Sequence, residues 1–288
     1  MRAFWYCDIP NFGDILNPYI AKKKFSTELK YNHYYSLLYY YRVLFSNLRR
    51  TKKVKLPSRQ VIAYPWQPVL FGIGSILDYA NGQTIVWGSG FREFDSKFLT
   101  GEPVKILAVR GELTKKRLSE IGYNSKSDIA IGDPALLMPL IYSSPAKKTS
   151  QNKIGIVPHY SEYDYFVETY GDSYEIINMI NENVEEVIDL INSCEYILST
   201  SLHGIIIAHA YNVPALWIKN SNIGTGKFKF HDYFSSVGIP FYDGFTNFNE
   251  VLKSQENVIT FFNNNKDKSS IKTSLKEIQD NLINTFPN

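Results

Sequence analysis

Glu195-Tyr196-Ile197-Leu198-Ser199-Thr200-Ser201-Leu202-His203-Gly204-Ile205-Ile206-Ile207-Ala208-His209-Ala210 reads as a strand over Glu195–Ser199, a hydroxyl-rich loop, and from Gly204 a helix apolar on nearly every face. A further strand candidate follows at Ala215–Ile218. A helix that is apolar all round belongs in an interior. Strand, loop, buried helix and strand form the unit of a parallel sheet, because parallel strands need a crossover connection.

The same alternation runs outward in both directions. Upstream, strand candidates lie at Arg2–Cys7, Pro68–Ile73, Thr84–Trp87, Val104–Val109, Asp128–Ile131 and Lys153–Val157. Helices are expected from about Ile15, over Glu112–Ile121, and from Pro134, where Asp133-Pro134 makes a good cap and first-turn pair. Val184, Val187, Ile188 and Ile191 form a helical stripe, and Ile271, Leu275, Ile278, Leu282 and Phe286 mark an amphipathic helix near the C-terminus. The polar break Ser143–Asn152 interrupts the pattern, and Asn263–Ser270 forms a second linker. The expected class is α/β, with Rossmann-like domains over residues 1–145 and 152–265 and a helix within 270–288.

A length of 288 residues suits two domains of ordinary size, and 44% hydrophobic residues excludes global disorder. A net charge of +3 gives no case for nucleic acid. Cys7 and Cys194, isolated from each other, fit a reducing compartment, so a cytoplasmic location is expected. Asp8 interrupts the N-terminus before a signal-peptide core develops, and no stretch approaches the roughly 20 apolar residues that span a bilayer. Gly72-Ile73-Gly74-Ser75 fails the dinucleotide fingerprint because Leu77 stands at its third glycine position; Gly224-Thr225-Gly226-Lys227 fails as a P-loop because position 221 is Ser. No cluster has metal-ligand spacing, so neither a metal nor another cofactor is expected, and activity is expected to survive EDTA.

In open α/β sheets, ligands bind beyond the carboxyl ends of the strands. That rule selects four loops. In Ser201-Leu202-His203-Gly204, free N–H groups at a helix start attract an anion such as phosphate. His203 stands at its mouth, where an imidazole can exchange protons with a ligand or hydrogen-bond a neighbouring domain. His209, six residues on, lies on another helical face. In Val109-Arg110-Gly111-Glu112, Arg110 can fork onto a carboxylate or phosphate, or onto an acid such as Asp133 in a neighbouring domain. Asn11, Asp14 and Asn17, around Gly13, suit sugar hydroxyls, while Asp14 can equally cap a helix. His159, in Val157-Pro158-His159-Tyr160, sits at the correct strand end to face a cleft, and a surface loop is the alternative.

In order, Asn11-Phe12-Gly13-Asp14-Ile15-Leu16-Asn17, Gly72-Ile73-Gly74-Ser75, Trp87-Gly88-Ser89-Gly90, Val109-Arg110-Gly111, Gly132-Asp133-Pro134-Ala135, Pro158-His159-Tyr160 and Ser201-Leu202-His203-Gly204 resemble the polysaccharide pyruvyl transferase family over roughly residues 8–235. The resemblance implies two Rossmann-like domains facing across a cleft, as in the GT-B glycosyltransferases. It implies transfer of the pyruvyl group of phosphoenolpyruvate to two hydroxyls of one sugar on a bacterial surface polysaccharide or its lipid-linked precursor. His203 matches the family's active-site histidine, which makes it the candidate general acid and later base; Arg110 matches an Arg-Gly motif and would neutralise the departing phosphate. Asp14 and Asn17 would orient acceptor hydroxyls, with Asn11, Gly74, Ser75, His159, Ser201 and Gly204 lining the substrates. Many members carry Arg where this chain has Ser201, so another cation would meet the donor, and Arg92, Lys227 and Lys229 are the candidates. The competing readings are a nucleotide-sugar glycosyltransferase of the same architecture and a non-catalytic glycan-binding relative.

Residues 31–59 stand apart. They hold eight aromatic rings, His33 included, and seven Lys or Arg, and contain no Asp or Glu, Glu28 being the last acid before them. Such a segment is either an amphipathic helix on its own domain or an arm that binds the acceptor or makes peripheral contact with the inner face of the cell membrane.

Overall fold

A computed structural model of the chain describes residues 1–32, 67–99, 101–124, 128–145, 153–220 and 226–287. The segment 31–59 lies outside these residues except for Tyr31 and Asn32, as does the polar break 143–152 from residue 146 onward.

Two parallel sheets are present. The first has the order β2-β1-β3-β4-β5-β6, with β1 Arg2–Phe4, β2 Lys30–Tyr31, β3 Val69–Phe71, β4 Thr84–Trp87, β5 Lys105–Val109 and β6 Ala130–Ile131. The second has the order β10-β9-β7-β8, with β7 Ile154–Val157, β8 Glu175–Ile176, β9 Tyr196–Ser199 and β10 Ala215–Trp217. Every pairing is parallel, and the strand cores match the expected alternation. The two-residue edge strands β2 and β8 escape sequence reading, because so short a strand has no periodicity to detect.

The helices are α1 Phe12–Phe25, α2 Glu112–Glu120, α3 Tyr163–Tyr170, α4 Val184–Asn192, α5 Leu202–Ala210, α6 Lys227–Val237, α7 Phe248–Val251, α8 Gln255–Asn264 and α9 Leu275–Asn284. Helix α1 begins earlier than expected. Asn11 is the extended residue before it, which puts Asp14 inside the first turn rather than at the cap. The segment from Pro134 is a 3₁₀ helix, Pro134–Leu140. Asp133 caps it as expected, accepting from Ala135 N at 2.9 Å, but Pro139 lacks an N–H and would clash with an α-helical carbonyl four residues back. The polar linker expected from Asn263 begins inside α8, which runs through Asn264.

One core joins the two sheets. Phe12 and Leu16 of α1 share a buried cluster with Met179, Leu202, Ile205 and the 3₁₀ residues Leu136 and Leu137. Each fully buried apolar side chain of this size contributes about 1.5–3 kcal/mol, so the contact is a seal, not a loose hinge. The C-terminal segment, with α9, returns to the first sheet. Phe286 stacks on Phe25 at 3.7 Å, and Trp87 Nε1 donates to Leu282 O at 3.0 Å. Helix α6 touches both halves: Phe230 stacks on Trp217 of β10 at 4.0 Å, while Asp232 meets Arg110 beyond β5. No helix among the described residues is long and apolar enough to cross a membrane.

Candidate active site

Both sheets have a point where strand order reverses, between β1 and β3 in the first and between β7 and β9 in the second. Loops leaving such adjacent strands diverge to opposite faces and open a crevice at the carboxyl end. Here both crevices open on one cavity of about 470 Å³. The loop after β1 and the start of α1 supply Tyr6, Asn11 and Asp14, and the loop after β3 supplies Gly74 and Ser75. Arg92 and Glu93, Arg110, and Asp133 follow β4, β5 and β6. From the second half come His159, Tyr160, Ser201 and His203, and the start of α6 adds Gly226 and Lys229.

Of the residues singled out from sequence, Asn17, Gly204 and Lys227 stand apart from this cavity. Asn17 is buried and accepts from Ile73 N at 2.7 Å, so it ties α1 to the loop after β3. Gly204 packs against Ser199 and Val157. Lys227 pairs with Asp243. His209 hydrogen-bonds Tyr233 Oη at 3.0 Å inside the core, which is a structural role.

His203 lies in the first turn of the buried helix α5, and its Nε2 is buried with no hydrogen-bond partner among the described residues. Its other edge rests on α1: a Cβ on Gly13 would lie 2.1 Å from Nδ1. Gly13 is therefore required for close approach. Gly13→Ala is expected to push the imidazole out of place at a cost of about 1–3 kcal/mol, with turnover reduced. Gly82→Ala, where a Cβ meets nothing within 4 Å, is the control; equal melting curves and turnover for the two variants would count against the contact.

The electrostatics follow from burial. Desolvation, with Lys229 and Arg110 adding to it, pushes His203 down to about 3, so its imidazole is neutral near pH 7 in the free protein. Desolvation and Lys229 likewise hold His159 down to about 4. Lys229 is pushed down to about 8 by desolvation and then by Arg110. The carboxylates move the other way. Asp14 rises to about 6 through burial, despite accepting a 2.6 Å hydrogen bond from Asn11 Nδ2, and Asp133 rises to about 6 for the same dominant reason.

Arg110 lines the cavity and also makes the ion pair that was its alternative reading, with Asp232 as the acid in place of Asp133. It is 1% exposed, and its Nε donates to Asp232 Oδ2 at 2.9 Å, Nη1 to Ser75 Oγ at 2.6 Å and Nη2 to Phe91 O at 2.9 Å. Three of its five N–H groups are thus committed to the protein. Arg92 is more open. Its Nη2 donates to Tyr79 Oη at 2.6 Å and Tyr6 Oη at 3.3 Å, and the guanidinium lies over the Tyr79 ring.

Glu162, behind the second crevice, was also invisible in the sequence reading. The Thr200 hydroxyl donates to Glu162 Oε2 at 2.5 Å and accepts from His159 N at 2.7 Å, which fixes the His159 loop against the Ser201 loop. The strand-end rule contained a signal for Tyr6, beside the Asn11–Asn17 loop, whereas Glu93 follows β4, outside the four loops, and is marked only by its neighbour Arg92. Nothing in the sequence pointed to Asp232, 122 positions from Arg110.

Fold and site define an α/β protein with a cavity at paired strand crevices, carrying cations, a helix N-terminus and titratable carboxylates. The family model described as polysaccharide pyruvyl transferase matches residues 11–222, and the chain belongs to that family. It is also 27% identical over 173 residues to an uncharacterized protein of Acanthamoeba polyphaga mimivirus, a match spanning 58% of this chain and 59% of the relative. No solved structure matches the chain.

Proposed function

We propose that the protein transfers the pyruvyl group of phosphoenolpyruvate to two hydroxyls of one sugar residue, forming a cyclic ketal and releasing inorganic phosphate. The observation that carries this is the meeting, in one cavity, of Lys229, Arg92, the α5 N-terminus and the unpartnered His203 Nε2 with Asp14. Phosphoenolpyruvate presents a phosphate and a carboxylate, and these are the groups that helix N–H donors and cations bind. Lys229 and Arg92 take the role of the cation absent at Ser201. Arg110, neutralised by Asp232, forms the rear wall and holds Ser75.

In the reaction, a proton is added to the methylene carbon, which becomes the methyl group. The C2 centre becomes oxocarbenium-like, and the first sugar hydroxyl forms a C–O bond there while losing its proton to a base. The C2–O bond to phosphate then breaks, the second hydroxyl attacks C2, and its proton leaves with hydrogen phosphate. Asp14 is assigned the first proton, because a carboxyl held near 6 is partly protonated near neutrality and its carboxylate can next accept the hydroxyl proton. Neutral His203 is assigned a hydrogen bond from Nε2 to the donor. Asn11 orients Asp14, and His159 and Ser201 face the substrates. The domains 1–145 and 152–265 are assigned the GT-B arrangement, supported by the shared strand order of the two sheets.

The test is incubation with phosphoenolpyruvate and a panel of galactosides, glucosides, mannosides and N-acetylhexosaminides. Inorganic phosphate should appear together with a new quaternary methyl singlet by NMR. Consumption of nucleotide sugars without phosphate release from phosphoenolpyruvate would establish glycosyl transfer instead. Donor affinity should weaken as pH rises through about 8, where Lys229 loses its proton. Lys229→Gln should bind donor weakly throughout and flatten that limb; an unchanged limb would place the titration elsewhere.

A cytoplasmic, membrane-peripheral location and a lipid-linked acceptor are proposed from the basic aromatic segment 31–59, since each basic residue near an anionic surface contributes about 1 kcal/mol. Liposome co-sedimentation should rise with anionic lipid and fall with salt. Equal binding to neutral and anionic vesicles would remove the electrostatic argument.

A further inference from the structure

Outside the cavity, beside Gly226 at its edge, lies a row of aromatic rings. Phe94 and Phe241 are 54% and 55% exposed, which is unusual for phenylalanine. Between them is His231 of α6. Its ring lies against Phe241 at 5.2 Å with an interplanar angle of 15°, and Phe94 meets it at 6.2 Å, tilted by 70°. The rings are held from below: Phe94 packs edge-on against buried Phe228 at 5.0 Å, and His231 Nε2 faces Tyr242 O at 3.0 Å and Asp243 Oδ1 at 3.2 Å. With two acceptors facing it, Nε2 carries the proton. Asp243 also pairs with Lys227, and that hydrogen bond holds its carboxyl below the ordinary range, so an ionised carboxylate and an ammonium border the rings.

We infer that this row is a subsite for the acceptor glycan, receiving pyranose rings next to the sugar that reacts. The inference rests on the proposed transfer to a sugar. A pyranose has an apolar face of C–H groups and hydroxyls around its edge, so it fits a flat aromatic surface bordered by hydrogen-bonding groups. Size argues against a protein partner. A buried aromatic residue covers about 150–250 Å², so two half-exposed rings offer roughly 160–270 Å², against about 800 Å² per partner in a stable protein interface. Position argues for the acceptor. Phe94 directly follows the cavity residues Arg92 and Glu93, and Lys227 directly follows Gly226, whose Cβ position lies 2.6 Å from Glu93 Oε1. A glycan whose reacting sugar enters the cavity here passes next over Phe94 and then Phe241.

The experiment is saturation-transfer NMR on the full chain, without donor, using di- to tetrasaccharides ending in galactose, glucose, mannose or N-acetylhexosamine. Phe94→Ala and Phe241→Ala are the variants, with thermal melts and phosphoenolpyruvate titration as controls. At least one oligosaccharide should receive saturation from the wild type, and each variant should weaken it about tenfold, the upper size of an aromatic contact, with donor affinity unchanged. In turnover the loss should fall on the acceptor KM. Saturation transfer equal in wild type and variants, or absent from the wild type for the whole panel, overturns the subsite. The two readings fail separately: no donor binding with Phe94-dependent glycan binding removes the pyruvyl donor alone, and phosphate release with unchanged acceptor KM in both variants removes the subsite alone.

Discussion

Asp232→Ala is expected to lower folding stability by about 3–5 kcal/mol, the cost of leaving a buried charge unpaired. Asp232 is fully buried, and its oxygens accept from Arg110 Nε, Thr114 N and Thr114 Oγ1, at 2.8–2.9 Å. Removing it strands the Arg110 guanidinium, which is itself 1% exposed. The pair need not be net stabilising, because desolvation of both charges offsets much of their attraction. The double variant Arg110→Met with Asp232→Leu should therefore recover most of the stability while losing the hydrogen bond that holds Ser75 at the rear wall. Urea unfolding measures the stabilities, and phosphate release measures the function. A single-variant loss below about 1 kcal/mol would place the pair in the class of solvated surface bridges.

Asp14→Asn should reduce turnover by roughly 10²–10⁴-fold, the usual loss for a general acid–base group. Phosphoenolpyruvate affinity should change little, since Asn keeps the shape beside Asn11 and the donor's charges face Lys229 and Arg92. His203→Gln should show the contrasting pattern, with donor binding and turnover falling together, because Nε2 is assigned a bond to the donor in both ground and transition states. The electrostatics motivate the assignment. An imidazole pushed down to about 3 is almost entirely neutral at pH 7, whereas Asp14, raised to about 6, keeps its proton in roughly a tenth of the molecules at that pH. As pH rises through about 6, Asp14 loses the proton it must deliver, so kcat/KM should fall, and Asp14→Asn should abolish that step. Donor titration and single-turnover rates on both variants decide between them. If His203→Gln instead loses turnover alone, with donor affinity preserved, the imidazole is the acid and the bound donor has raised its pKa.

Several elements were legible because their signals are local. The strand Thr84–Trp87 was read to the residue, and the stripe of Val184, Val187, Ile188 and Ile191 became the buried face of α4. The apolar run after His203 could only be a buried helix, and α5 is one, beginning two residues before the expected Gly204. Helix α6 has no legible local signal: Lys227–Val237 mixes aromatics and charges because it is buried against both halves of the molecule at once, which leaves no clean stripe. The cavity was approached through the strand-end rule, which selected His203, His159, Arg110, Asn11 and Asp14, and all of these line it. Asn17 is close in sequence to Asn11 and Asp14, but a turn of helix aims it at the backbone of Ile73.

By itself, the sequence determined the alternation of strand and helix, the buried character of α5 and the family, since each depends on residues close along the chain or on ordered local motifs. Only the tertiary structure decided that Arg110 is answered by Asp232, that His203 rests on Gly13, and that two strand crevices share one cavity. These depend on which distant segments meet. The protonation of Asp14, His203 and Lys229 belongs with them, because desolvation is set by what the fold packs around a group rather than by its neighbours in sequence.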